Sequence, residues 1–132
     1  MSEGPATPRE AVAHTVAAFG EGRLDDYFAC FRPDASFVFY TEPHRLDSVA
    51  DYRALWQRWI DEDGLRVRAC ETHDTDVREY GDIAIVTHSV ITQIATNDGE
   101  DTVVERETIV LERQADGGWL SVHEHLSPMP AD

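Results

Sequence analysis

The chain has 132 residues, enough for one domain, and a net charge of −15, with arginine supplying all eleven of its basic residues. An acidic surface of that size argues against a nucleic acid or an anionic membrane as partner, and no stretch approaches the ~20 apolar residues of a membrane span. MSEGPATPRE lacks the basic and then apolar pattern of a secretory signal, and Cys30 and Cys70 stand far apart outside any CxxC motif, so buried thiols and a cytoplasmic location are expected.

Residues 1–6 read as a disordered lead-in, 7–128 as a single domain and 129–132 as a tail. Thr7-Pro8-Arg9-Glu10 is a helix start: a threonine cap, a proline at the first helical position and a glutamate three residues after the cap. Ala11, Val12, Val16 and Phe19 make that helix apolar on one side, and Gly20 with Gly22 ends it. Leu24, Tyr27, Phe28 and Phe31 predict a short second helix stopped by Pro33. The aromatic and β-branched run Ala35–Tyr40 predicts a strand, and Thr41–Arg45 a loop.

Ser48 to Asp63 carries the strongest helical pattern. Ser48 and Asp51 form a capping pair, Val49, Tyr52, Leu55, Trp56, Trp59 and Ile60 keep the 3–4 repeat, and Gly64 closes it. The period then becomes two. Strands are expected at Leu65–Val77, Ile83–Ala95, Val103–Arg113 and Trp119–Leu126, separated by Tyr80-Gly81-Asp82, Asn97-Asp98-Gly99 and Asp116-Gly117-Gly118. Three helical segments around a first strand, followed by a four-strand meander, make an α+β fold.

This order of elements resembles the nuclear transport factor 2-like superfamily, and within it the SnoaL-like group. The local match is to the association domain of calcium/calmodulin-dependent protein kinase II, in Glu107-Thr108, Asp116-Gly117-Gly118-Trp119 and above all Val122-His123-Glu124-His125-Leu126-Ser127, with weaker support from Val90–Gln93 and Glu42-Pro43. The resemblance runs from Arg9 to Pro128. It implies a cone-shaped, curved antiparallel sheet wrapped around the three helical segments, the cystatin-like fold, with a pocket between them. Where the association domain sends arginines into its pocket from the third, fourth and fifth strands, this chain has Val90, Ile109 and Leu126, so a more apolar pocket is expected.

With those three residues pointing inward, strand alternation also turns Val86, His88, Thr92, Glu105, Glu107, Leu111, Leu120, Val122 and Glu124 inward. The opposite face then carries Thr87, Ser89, Gln93, Arg106, Thr108, Trp119, Ser121, His123 and His125. A β-bulge would exchange the two sets locally. His88 titrates near neutrality, and a greasy cavity makes Glu107 and Glu124 more basic, so these three are the candidate acid and base. The plainer role for the glutamates is rim pairing with Arg106 or Arg45. Tyr27 and Tyr40 are candidate hydroxyl donors to a substrate carbonyl, with Tyr40 taken into the catalytic set. Tyr52, Trp56 and Trp59 either line a pocket for a ring-shaped ligand, together with Val90, Ile109 and Leu126, or are core. His123 and His125 share one strand face at a spacing that suits zinc if His73 or a carboxylate supplies a third ligand, but the association domain carries the same motif without a metal and no CxxC or HExxH pattern supports it, so neither a metal nor a dinucleotide or phosphate-binding cofactor is expected.

Two functions stay open. One, which the resemblance to the SnoaL-like group implies, is a cofactor-independent isomerase, cyclase or dehydratase acting on a small hydrophobic carbonyl compound. The other is a non-catalytic homo-oligomeric interaction module. Both imply a homodimer through the sheet face.

Overall fold

The threonine–proline start is where the first helix begins. In the computed structural model, which describes residues 5–130, α1 spans Pro8–Gly20 and the Thr7 side chain accepts from the Glu10 amide at 3.1 Å. Residues 1–4 of the expected lead-in and 131–132 of the expected tail lie outside the described residues. One stripe of α1, made of Ala11, Val12, Thr15 and Ala18, is buried.

Helix α2 (Leu24–Phe28) is shorter than its apolar spacing suggested. Phe31 does not extend it but opens strand β1, Phe31–Val38, which begins earlier than expected and stops short of Tyr40. Pro33 is tolerated there because β1 is an edge strand and its register slips between Phe31 and Ser36. Helix α3 (Val49–Asp63) has Ser48 as cap, accepting from the Asp51 amide at 3.0 Å, and ends in a left-handed Gly64.

Four long strands follow: β2 (Arg66–Tyr80), β3 (Ile83–Thr96), β4 (Gly99–Arg113) and β5 (Trp119–Pro128). The sheet order is β1-β5-β4-β3-β2, with every pair antiparallel except β1 and β5, which run parallel. The sheet is therefore mixed where an antiparallel one was expected. After β1 the chain crosses through α3 to the far edge and returns by three tight turns, and β5 arrives beside β1 running the same way.

Register breaks in β2, between Val67 and Ala69 and between His73 and Asp76, bend the sheet around the helices. A third break lies in β5, where Val110 faces His123 but Leu111 faces Ser121, leaving Val122 unpaired. This bulge exchanges the faces of the first part of β5. Trp119 and Ser121, expected outside, are buried, whereas Leu120 and Val122, expected inside, are only half-buried. Beyond the bulge Glu124 and Leu126 share the inner face with Ile109 and Glu107, as alternation predicted.

Two apolar clusters fill the cone. Trp119, Ile109, Leu111 and Val86 pack under Ala11 and Val12 of α1 at one end. At the other, Phe31, Phe37 and Phe39 of the β1 region meet Tyr27, Phe28, Tyr52 and Trp56 from the helices. Neighbouring rings there lie 4.5 to 6.5 Å apart, mostly tilted or edge-on, the arrangement aromatic quadrupoles favour.

Candidate functional site

Strand register alone brings three titratable side chains together. His88 of β3 sits opposite Glu107 of β4, and one pair further along β4 Ile109 faces Glu124 of β5, all on the inner face. His88 Nε2 lies 2.7 Å from Glu107 Oε1; the imidazole has no exposed surface and the Glu107 side chain retains 10%. The carboxyls of Glu107 and Glu124 are near enough that each alters the other's hold on a proton. Glu124 is 5% exposed.

Burial in the cone, reinforced by the adjacent charge of Glu107, holds Glu124 well above the usual carboxylate range. Glu124 is thus the carboxyl of the two that holds a proton more strongly. Burial raises Glu107 too, and its interaction with Glu124 works in the other direction. Desolvation lowers the pKa of His88, against an opposing pull from Glu124, which favours the neutral imidazole with Nε2–H donating to Glu107. Burial thus favours a proton on this pair, and Glu124 is the carboxyl that holds it more strongly. Two atoms of the cluster, His88 Nδ1 and Glu124 Oε2, are buried without a hydrogen-bond partner.

A tyrosine pair stands beside the carboxyls. Tyr27 of α2 and Tyr52 of α3 are buried, with their hydroxyls 2.8 Å apart. Burial raises both phenols far above their ordinary value, and Glu124 raises them further wherever it is ionised, so both remain hydrogen-bond donors at any physiological pH.

The cluster forms the floor of a funnel. A narrow pocket of about 60 Å³ is lined by Glu107, Glu124, Tyr27, Tyr52 and Cys70. It shares Phe19, Tyr52, Thr92, Glu105 and Leu126 with a wider cavity of about 430 Å³, inside the ~300–1,000 Å³ range of small-molecule sites. Val90, Ile109 and Leu126 line the floor, and Tyr52, Trp56 and Trp59 line the wider wall.

Tyr40 is placed elsewhere than its proposed role requires. It lies at the mouth, 46% exposed, and donates to Glu105 Oε2 at 2.6 Å, so it does not join His88, Glu107 and Glu124. Partial burial and that bond push its phenol up to about 12. The hydroxyl beside the carboxyls belongs to Tyr52, which in the sequence is indistinguishable from the core aromatics of α3. Glu105 is a mouth carboxylate, and neither Arg106 nor Arg45 pairs with Glu107 or Glu124 among the described residues.

His123 and His125 stand outside this cavity. The His123 ring bonds Ser36 Oγ at 2.7 Å, and the two imidazole centroids are 6.3 Å apart. No group of three His, Cys, Asp or Glu side chains among the described residues is arranged to hold a metal ion. Both cysteines are free thiols. On the outer face of the sheet, Thr87, Arg106, Thr108, His125 and Ser127 border an open groove of about 550 Å³ that also reaches His88 and Glu107.

The cone is shared with several solved structures. The hub of CaMKII from S. rosetta aligns over 95% of this chain and 99% of its own, at 26% identity and a TM-score of 0.70. A ketosteroid isomerase-like protein from Erwinia carotovora atroseptica aligns over 93% and 94% (15% identity, TM-score 0.76). An NTF2-like protein of unknown function in nutrient uptake from Rhodospirillum rubrum aligns over 91% and 96% (21% identity, TM-score 0.77). No curated protein matches the chain by sequence. The model of the SnoaL-like domain matches residues 9–132. With that match over nearly all its length, and with an α+β cone of the NTF2-like kind, the chain belongs to the SnoaL-like family.

Proposed function

We propose that this protein binds a small, largely hydrophobic carbonyl compound in the cone and moves a proton on it, as a metal-independent isomerase, cyclase or dehydratase. The observation that carries this reading is the pair of buried carboxyls, Glu107 and Glu124, at the closed end of an otherwise largely aromatic and aliphatic funnel. A carboxylate made more basic by burial is a base for a C–H next to a carbonyl, and a neighbouring carboxylic acid can return the proton at a second position. Glu107 is the base in this scheme and Glu124 the acid. Tyr52, backed by Tyr27, donates to the carbonyl oxygen as charge develops on it. His88 does not line the floor; it acts through Glu107, fixing the carboxylate with the bond from Nε2, and is a positioning residue.

Proton abstraction can be measured without knowing the natural substrate. The α-protons of 2-tetralone, an apolar ring ketone that suits the cavity, exchange with D2O, and NMR follows the loss of signal. The protein should accelerate exchange over buffer. Glu107→Gln should lose that acceleration by about 10²–10⁴-fold, the usual contribution of a general base, while keeping its melting temperature within a few degrees. Wild-type protein without acceleration, or a Glu107→Gln variant as active as wild type, would overturn the assignment.

The family resemblance also favours self-association, and we place it on the outer sheet face, around Arg106, Thr108 and His125. A hub filled by its own side chains would leave no cavity, and the open funnel is why ligand chemistry is preferred here over a purely structural module.

A further inference from the structure

We infer that the funnel is built for a hydrophobic ligand that carries a positively charged nitrogen, an amine or a quaternary ammonium, seated near the mouth. This rests on the reading of the cone as a ligand site and adds the charge of what enters it.

The wall has two components. Phe19, Phe39, Tyr52, Trp56 and Trp59 present aromatic surface to the wider cavity, with Trp56 and Trp59 edge to face at a centroid separation of 5.6 Å and Phe19 and Trp56 at 6.0 Å. The same cavity is lined by the carboxyl side chains of exposed Asp63 and Asp98 and half-buried Glu105. Among the described residues, no arginine or histidine lines either the wide cavity or its floor. All eleven basic side chains of the protein are arginines, and those described lie elsewhere on the molecule.

A cation gains twice from such a wall. Aromatic faces attract it through their quadrupoles within about 6 Å of a ring centroid, and the carboxylates add a Coulomb attraction that low-dielectric walls focus. An anion meets the same carboxylates with nothing to pair with, so the site discriminates by repulsion as well. A second, independent sign is at the floor. Glu124 is 95% buried, taking its 5% exposure, and its Oε2 has no partner, although it lines the pocket. An acceptor buried in this way suits the N–H or O–H of an entering molecule.

Three probes sharing one ring system separate charge from hydrophobic fit: 2-naphthylmethylamine, which is an ammonium at pH 7, 2-naphthylmethanol and 2-naphthoate. Titration calorimetry on the intact protein should find the ammonium bound about tenfold or more tighter than the alcohol, and the carboxylate weakest. Glu105→Gln, which keeps an acceptor for Tyr40, should narrow the gap between ammonium and alcohol by several-fold. Glu79→Gln, which removes the same charge from an exposed site on β2, should leave it nearly unchanged. An ammonium bound no tighter than the alcohol would sink the inference and leave the cone as a ligand site. Equal narrowing by the two variants would also sink it, tracing the preference to the whole acidic protein. If none of the probes binds at millimolar concentration, the inference and the ligand-site reading fail together.

Discussion

Burial of ionisable groups in the cone ties the protein's stability to pH. Glu124 has a folded-state pKa well above that of the unfolded chain, so the folded protein binds more protons in the interval between the two values. Stability from this group is complete below the unfolded value, ~4.3, and is lost as pH rises through the folded one. His88 works in the opposite sense. Its pKa is lowered by burial, so its contribution is present above ~6.5 and is lost as pH falls through its folded value. Glu124→Gln keeps the shape and the donor but removes the titration. Its melting temperature should exceed that of wild type at pH 8, with the difference closing toward pH 5, each kcal/mol appearing as roughly 3–5 °C. A difference that does not change with pH would show that Glu124 titrates normally. The three residues of the cluster were legible in the sequence because period-two alternation carries His88, Glu107 and Glu124 to one face once its direction is known. The donor beside them was not. Tyr52 and Tyr27 sit in helices whose 3–4 repeat says only that they are buried, and where a hydroxyl ends up depends on how the helix docks. Tyr40, at the end of an aromatic run, has the same composition cues and lies at the mouth.

Single residues also decide how the elements are joined. The switch at β5 is local: one unpaired residue, Val122, turns Trp119 and Ser121 inward, and no propensity in Trp119–Val122 distinguishes the bulged register from the regular one. The helix boundaries, by contrast, were written in side-chain chemistry at Thr7, Ser48 and Gly64. Gly64 does more than end α3. At φ 64° it takes a conformation that other residues resist, and an added Cβ would run into the side-chain oxygen of Asn97. Asn97 in turn donates its backbone N–H to the Asp63 carbonyl at 2.8 Å, pinning the β3–β4 turn to the end of α3. Asp63 and Asp98, both in the wall of the funnel, flank this junction. Gly64→Ala should therefore cost about 1 kcal/mol for backbone strain and a further ~1 kcal/mol for displacing Asn97, read as a fall in the urea midpoint. Gly22→Ala is the control: at φ 72° it carries the strain, but its Cβ meets nothing within 4 Å. Equal losses in the two variants would mean that the Asn97 contact has no part in stability.

For the molecule as a whole, the outer face of the sheet is the surface that the fold does not cover. Thr87, Ser89, Arg106, Thr108 and His125 alternate with the inner residues along β3, β4 and β5, and α1 and α3 lie on the other side. Val104 and Met129, at 41% and 37% exposure, add apolar area along its edge. A two-fold interface would place this patch against itself, which bonds many small contacts at once without needing a complementary second surface. Association has to overcome the repulsion of two chains of charge −15, so the contact must come from short-range packing and hydrogen bonds, and salt should strengthen it by screening. Sedimentation equilibrium should therefore show a dimer whose dissociation constant falls as sodium chloride is raised from about 50 mM to 500 mM, over which the screening length shortens from roughly 14 Å to 4 Å. Arg106→Glu would replace the positive charge in the middle of the patch by a negative one on a chain already at −15, and should shift the protein to monomer at every salt concentration, with its circular dichroism unchanged. A wild-type monomer at 100 µM would remove the interface from this face, as would an Arg106→Glu variant that dimerises like wild type. An interface weakened by salt would instead mean that ion pairs hold the two copies together.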